Sequence, residues 1–569
     1  MIFKLIRSNW LLAVFTITAL GFGLWGWLAQ ADALGLSFSD ALYHSIGAFL
    51  LSDIYQKSDV WNADWRLDVA RWSGVIAFVL GATKAILALL AKQFQHFTAR
   101  LRSGHFMLIG DDVFAETLAQ AALADGKQVT WLASSEAQSA KNHESLFVLH
   151  GEWDIAQAEQ FGLQRAENVA IATNDDSFVI ACARQIRQKV PIENPLKIFV
   201  TIHSPWIAMR IDELGGISGV SLFSQAQAAV RQAHRRHPPF LLAKKQNHKR
   251  IHTVIFGFGL HGEAVLIDTL LSSLTTYLGK PLFTIIDPHA DAIKNSLALR
   301  YPELKKSADI TIIKGTLDGA DICLSEADIL ALGKQDPVSV TYICLPNKTL
   351  SLAAGLAIQS LAQRDGWTTG PIFIKLSAHQ ALPNVQAGVS DLKPAQLISF
   401  GGLDNLVADT GIFSNDTDSL ARILHNRYRQ VAPKDKEANV PWEELSEDFK
   451  DSNRRQLIHI PAKLSSAGME LESWLRSADK NPQHTTLPEG GNLLADEAMV
   501  KKLAILEHER WMADRRINGW RYGVKKIPKK RLHTDLVPYE ELSADSQSYD
   551  RMVIETLSKA LQLKDRDKV

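Results

Sequence analysis

From Asn9 to Ala31 the chain reads NWLLAVFTITALGFGLWGWLAQA, without a charged residue. About 20 predominantly apolar residues cross the hydrocarbon core of a bilayer, so this stretch is predicted to be a transmembrane helix. A signal peptide is the competing reading, but the apolar run is too long and no clean small-x-small cleavage site follows it. Trp10, Trp25 and Trp27 near its ends read as an aromatic belt, and Lys4 and Arg7 before it place the N-terminus in the cytoplasm. A second span is predicted from Val69 to Ala91, with Lys92, Arg100 and Arg102 again on the inner side. Between the two lies SFSDALYHSIGAFLLSDIY, residues 37–55, too short to span and too apolar for an exposed loop. It is expected to re-enter the membrane, giving a pore-like domain over 1–103 of an inner (plasma) membrane protein, with both termini cytoplasmic.

Beyond residue 103 the pattern changes to alternating strand and helix. HFMLIGDDVFAETLAQAALADGKQVTWL reads strand, tight turn, amphipathic helix, strand, and the alternation runs over 104–232. A basic stretch with prolines, 233–250, is expected to be a solvated linker or a membrane-facing strip. The alternation then restarts at RIHTVIFGFGLHGEAVLIDTLL and fills 251–410. Two doubly wound α/β units are therefore predicted.

The second unit carries Gly257, Gly259 and Gly262 as G-x-G-x-x-G between a strand and a helix. In a dinucleotide-binding turn the first glycine reverses the chain, the second admits a pyrophosphate, and the third lets helix approach strand. Asp287 ends the next strand, where a carboxylate can accept from a ribose hydroxyl. Glycines kept only for a tight turn over an empty pocket are the alternative. At the matching turn the first unit reads Gly110-Asp111-Asp112-Val113-Phe114-Ala115, with two carboxylates aimed at the phosphate position. This half is read as structural, its turn either solvated or holding a cation.

The final third contains an internal repeat. LARILHNRY (420–428) echoes LAILEHERW (503–511), and VPWEELSEDFKDSNR (440–454) echoes VPYEELSADSQSYDR (537–551). A degenerate copy over 415–465, a linker over 466–494 and a complete copy over 495–560 follow. The complete copy sets Trp511, Trp520 and Tyr522 beside Arg510, Arg515 and Lys526. Flat aromatic faces can stack a base and cationic side chains can hold phosphates. Trp511, four residues from Glu507 and from Arg515, also fits the core face of a helix.

Composition narrows the function classes. Lys plus Arg and Asp plus Glu both total 62, which gives no charge to recruit nucleic acid. Cys182, Cys323 and Cys344 lack ligand spacing and read as buried, reduced thiols. No metal site and no catalytic constellation is predicted; His261 in the glycine turn is insufficient as a lone base.

Three resemblances follow from these residues. DALYHSIGAF resembles the approach to a potassium-channel filter, but AFLLSDIY stands where that family has its glycine-containing filter. Two spans followed by tandem Rossmann units resemble channels gated by regulator-of-potassium-conductance domains, and LHGEWDIAQAEQFGLQRAENVAIATNDD matches such a domain at Gly151, Asp154, Ala166 and Thr173. Leu503 to Met552 resembles the repeat domain of ryanodine receptors. The fold class is then membrane α (two transmembrane helices and a re-entrant pore helix), two Rossmann-like α/β domains, and a mainly α domain of ryanodine-receptor repeats.

The resemblance implies a nucleotide-regulated channel, a homo-oligomer and most simply a tetramer, with NAD or an adenine nucleotide as ligand. A non-conducting membrane-tethered nucleotide sensor, as in stress or phage defence, and a membrane-bound NAD-dependent oxidoreductase are the alternatives. With no glycine after Gly47 in the re-entrant segment, a potassium filter is not expected. Ser52, Asp53, Gly81 and Lys84 are the candidate pore residues. Lys84 either faces the axis and opposes cations or snorkels to the interface.

Overall fold

The computed structural model describes residues 9–49, 64–133, 143, 145–191, 193–215, 219–317, 323–334, 336–365, 370–376, 389, 392–403, 406–407, 418–431, 438–475 and 492–562. The chain divides into two compact units, Met1–Leu101 and Arg102–Val569.

The first unit is α-helical: α1 (Asn9–Ala29), α2 (Phe38–Gly47) and α3 (Trp65–Arg100). By length and composition, Trp10–Ala29 and Trp65–Ile86 are apolar enough to cross a membrane. The second apolar stretch thus begins four residues before the predicted span, inside a helix that continues to Arg100. Glycines set how closely these helices pack. A Cβ on Gly26 would lie 2.6 Å from Leu67 of α3, one on Gly23 3.0 Å from Ser45 of α2, and one on Gly74 2.7 Å from the Ala48 carbonyl. Small residues at such crossings let backbones approach. Helix α2 starts in a capping box, with Ser37 and Asp40 satisfying each other's backbone N–H. Trp27 departs from the aromatic-belt reading. It is buried against Leu67 and lies 4.9 Å from the His44 ring, because α2 covers that face of α1. Trp25 fits a belt better: it is half-exposed, edge-on to Trp65, with the Arg66 guanidinium 4.3 Å above its ring. Gly81 faces Leu12 across α1 and α3, and Lys84 is half-buried. Ser52 and Asp53 lie outside the described residues.

The second unit holds two parallel sheets of identical topology. The first comprises β1 (Phe106–Ile109), β2 (Val129–Ala133), β3 (Leu146–His150), β4 (Asn168–Ile171), β5 (Lys197–Thr201) and β6 (Val220–Phe223), ordered 3-2-1-4-5-6. The second comprises β7 (Arg250–Phe256), β8 (Gly279–Asp287), β9 (Asp309–Lys314), β10 (Val340–Ile343), β11 (Ile372–Lys375) and β12 (Leu397–Phe400), in the same order. This is the doubly wound nucleotide-binding order, with its crevice where the strand order reverses, between the first and fourth strands. The central strands β1, β4 and β10 are buried along their whole length because helices cover both faces. Helix α4 (Val113–Ala124) follows β1.

The basic stretch between the sheets is no solvated linker. It belongs to α5 (Gln225–Arg236) and α6 (Pro239–Lys245), with His234, His237 and Phe240 buried. Helix α5 packs along α7 (Leu260–Ser272), so a single apolar core joins both sheets. Of the cysteines, Cys182 and Cys344 are buried as expected, whereas Cys323 is exposed.

The C-terminal third is helical. Its long elements are α8 (Ser419–Val431), α9 (Glu447–Ile458), α10 (Ile460–Ser466), α11 (Glu497–Ile517) and α12 (Ala544–Gln562). The two sequence repeats build the same contacts. His425 Nε2 meets the Val440 carbonyl at 2.8 Å, as His508 Nε2 meets that of Val537 at 2.8 Å. Ala421, Trp442 and Leu445 form one small core; Ala504, Tyr539 and Leu542 form its counterpart.

Candidate functional sites at the glycine turn and between the repeats

At the second sheet the three glycines behave differently. Gly257 has φ +83°, and a Cβ there would lie 3.0 Å from the Cys344 carbonyl. A Cβ on Gly262 would lie 2.5 Å from the Gly257 carbonyl and 3.3 Å from Ile255 of β7. Gly259 has no atom within 4 Å of its Cβ position, and it opens α7 without a side-chain cap. The N-terminus of α7 therefore presents uncapped N–H groups toward open space, the arrangement that accepts phosphate oxygens. Asp287 is tied to the same turn, its carboxylate accepting from Phe258 N and His289 N, each at 2.8 Å. His261 is no general base here: burial, with Lys375 and His203 nearby, pulls its pKa down to about 3.

The equivalent turn of the first sheet differs from expectation. Asp112 does not face the phosphate position; it caps its own helix, accepting from Ala115 N at 2.6 Å. Only Asp111 reaches the small cavity, about 240 Å³, that Gly110, Leu132, Asp154 and Thr173 also line. Among the described residues no group of three potential metal ligands assembles, there or elsewhere.

The larger cavity, about 690 Å³, lies where both repeats meet residues 209–213 of the first α/β half. That volume falls in the range of small-molecule sites. Its walls include Trp511, Arg515, Trp520 and Lys526 from the residues singled out in the sequence. Trp511 stacks on His508 at 5.5 Å and meets His533 edge-on at 5.0 Å; Trp520 also meets His533 edge-on, at 5.9 Å. Lys526, Lys529 and Arg531 come from the exposed loop after Trp520. Tyr522 and Arg510 stand outside these walls. Tyr522 is 53% exposed on a two-residue strand, and Arg510 is fully buried.

Arg510 is turned inward by a buried charge network. Its guanidinium grips Glu507 at 2.7 to 3.1 Å, and Lys463 of α10 reaches the same carboxylate at 2.7 Å. One turn on, Asp514 binds Arg455 of α9 and, at 3.1 Å, Arg515, which also pairs with Asp448 at 2.9 Å. Burial would raise the Glu507 pKa, but Arg510 and Lys463 overcome it and hold it near 2. Arg515 thus reaches the cavity wall already engaged by two carboxylates. The two repeat histidines also part company. Burial would lower His508, yet Asp550 at 3.2 Å and the Val537 carbonyl hold its pKa above the ordinary value. His425 has Asn453 at the corresponding place, and burial leaves its pKa low.

The cavity also uses Arg210, Asp212, His425, Tyr428 and Asp448, which no local motif marks. The repeat itself held part of that information, since Tyr428 occupies the place of Trp511. Arg210 and Asp212 reach the site only through tertiary packing, with Asp212 accepting from Asp448 N at 2.9 Å.

Residues 492–565 match the family model of the RyR domain. The match takes in α11, the basic loop and α12. Among solved structures, the protein is similar to "Crystal structure of the GsuK bound to ADP" at 14% identity and TM-score 0.38, over 71% of its own length and 96% of that structure's. It is also similar to "GsuK channel bound to NAD" at 12% identity and TM-score 0.39, over 72% and 83%. A structure of dipicolinate synthase from Bacillus subtilis aligns at 10% identity and TM-score 0.20, over 56% and 96%. No curated protein sequence matches.

Proposed function

We propose that the protein is a nucleotide-regulated, channel-like membrane sensor acting as a homo-oligomer, most simply a cyclic tetramer. In this reading α1 and α3 cross the bilayer, residues 102–569 are cytosolic, and nucleotide sensing resides in the cavity between the repeats and in the Gly257–Gly262 turn. The proposed limits are 415–465 for the first repeat and 495–560 for the RyR domain. The observation that carries the reading is the cavity itself. It sets Trp511, Trp520 and His533 against Lys526 and Lys529, with Arg531 beside them paired to Glu213, so an aromatic base and an anionic tail find partners together. A ligand there touches both repeats and the first α/β half at once. It can therefore favour one arrangement of the cytosolic part over another, which is what gating requires.

The test uses the full-length protein in detergent and in planar bilayers. ADP or NAD at 100 times its Kd should stabilise the protein by about 2.7 kcal/mol and raise its melting temperature. The same nucleotide should open a conductance. In asymmetric potassium chloride the reversal potential should fall away from the potassium equilibrium value, and Lys84→Ala should reduce any anion preference. Thermal stabilisation without current would select the non-conducting sensor. Hydride turnover would select the oxidoreductase. Neither stabilisation nor current with any nucleotide would sink the proposal.

A further inference from the structure

The walls of the larger cavity are built twice. His425 and Tyr428 of the first repeat occupy the positions of His508 and Trp511 of the second, and Asn453 occupies that of Asp550; all six line the cavity. Each pair forms an aromatic step of similar tilt, with ring centroids 6.4 Å apart in the first and 5.5 Å in the second. The Tyr428 ring lies over His425 with an interplanar angle of 24°, and Trp511 over His508 with 21°. Each step is fixed by the same imidazole-to-carbonyl contact of 2.8 Å. The cavity thus holds two stacking platforms, one from each repeat.

The platforms differ in charge. Around the first, the repeat contributes Leu424, Asp448, Phe449, Asn453 and Gln456 and, among the described residues, no Lys or Arg to the wall. Around the second stand Lys526, Lys529 and Arg531, the last paired with Glu213 and the Asn518 carbonyl, together with the carboxylates of Asp535 and Asp550. A mononucleotide stacked on Trp511 with its phosphates toward these cations leaves the Tyr428 step facing water. A ligand with a second base covers both.

We infer that the ligand of this cavity is a dinucleotide, its two bases stacked one on the Tyr428 step and one on the Trp511 step, with the bridging phosphates toward Lys526, Lys529 and Arg531. This rests on the nucleotide reading above and specifies it. Aromatic stacking is tolerant of base identity because every base has a π face, so the two steps select for the number of bases before their kind. Asn453, whose amide already donates to the Phe449 carbonyl at 2.8 Å, and Asp550, paired with His508 at 3.2 Å, stand one beside each step and leave different remaining groups toward a base edge.

The experiment is titration calorimetry on the full-length protein in detergent, carrying Gly259→Trp so that the glycine turn does not contribute. The probes are AMP, ADP, NAD and cyclic diadenosine monophosphate. At least one of the two dinucleotides should bind with one ligand per protomer and at least tenfold more tightly than AMP or ADP. Tyr428→Leu and Trp511→Leu should each lower that affinity at least tenfold, while Tyr428→Phe, which keeps the ring, should retain it and shows that the fold tolerates change there. Equal affinity for AMP, ADP and both dinucleotides, or unchanged dinucleotide affinity in Tyr428→Leu, overturns the two-base inference and leaves the nucleotide sensor standing. Absence of binding by all four probes overturns the two-base inference and the cavity as a nucleotide site; binding of the same probes to the protein with Gly259 intact would then assign the nucleotide reading to the glycine turn alone.

Discussion

The two α/β sheets share one strand order and diverge at one turn. After β1 the backbone places Asp112 as the helix cap, so the Ala115 N–H of α4 is satisfied from within. After β7 it places Gly259 at the same point, and α7 begins with no side-chain cap. A carboxylate in residence supplies what a phosphate would supply, because both satisfy the orphan donors and the positive end of the helix dipole. One fold therefore yields a side-chain-capped turn and an uncapped one by exchanging a single side chain. The glycines divide along the same line: Gly110, Gly257 and Gly262 are demanded by the backbone, whereas Gly259 is not.

The strongest way to break this comparison is at Gly110. Its φ is +130°, and a Cβ would overlap the Ala172 carbonyl. Gly110→Ala should destabilise the protein by about 3 kcal/mol or more. Gly259→Ala should change stability by less than about 0.5 kcal/mol, because its φ is ordinary and its surroundings are open. Equal losses in thermal unfolding would show that the two turns are held alike.

A second, smaller effect is expected from Asp112→Ala, which removes the cap and should cost about 1 kcal/mol. It should also give the first turn a weak sulfate dependence of melting temperature that the wild type does not show there. A stability unchanged by Asp112→Ala would mean that the cap is dispensable.

The finest distinction is one of pH. Burial is the main influence on Asp112 and raises its pKa above 3.8, against the Ala115 N–H and His203. A carboxyl whose folded pKa is raised contributes stability below its unfolded pKa and loses it as pH rises through the folded value. Asp112→Asn keeps the cap and cannot ionise, so it should be no less stable than wild type at neutral pH. It should also flatten the decline in stability just above pH 4. A steeper decline in the variant would reverse the assignment.

The elements that were legible in the sequence are those that local rules govern. The uncharged stretch from Asn9, the strand-turn-helix around Gly257 and the repeated LxxxxHxxx and VPxEELS patterns all describe contacts made within a few residues. The illegible parts depend on partners far along the sequence. Arg510 looks like a ligand-binding cation beside Trp511, and only the arrival of Lys463 and Arg455 near Glu507 and Asp514 shows that this helix face is interior. Trp27 looked like a membrane-interface residue until α2 was laid across it. The basic stretch after Gln232 read as solvated because its charges outnumber its apolar anchors, yet Phe240 and Ala243 are buried in the core that reaches Leu503 and Ile554. In the cavity the second repeat was readable in part, whereas Asp212 and Asp448 were not, since a hydrogen bond spanning 236 residues leaves no mark in either neighbourhood.

The charge network bears on how this protein can be divided. The RyR match begins at residue 492, which invites treating the remainder as a portable module. Yet Lys463, Arg455 and Asp448, all before that point, neutralise Glu507, Asp514 and Arg515 after it. Removing one member of a buried ion pair leaves an uncompensated charge that typically costs about 3–5 kcal/mol. A fragment cut at residue 492 would keep the Glu507–Arg510 and Asp514–Arg515 pairs but lose three cross-repeat ion pairs on one helix. Within the C-terminal third of this protein, the two repeats are therefore clamped together across residue 492, and a piece that keeps this helix as it stands includes both.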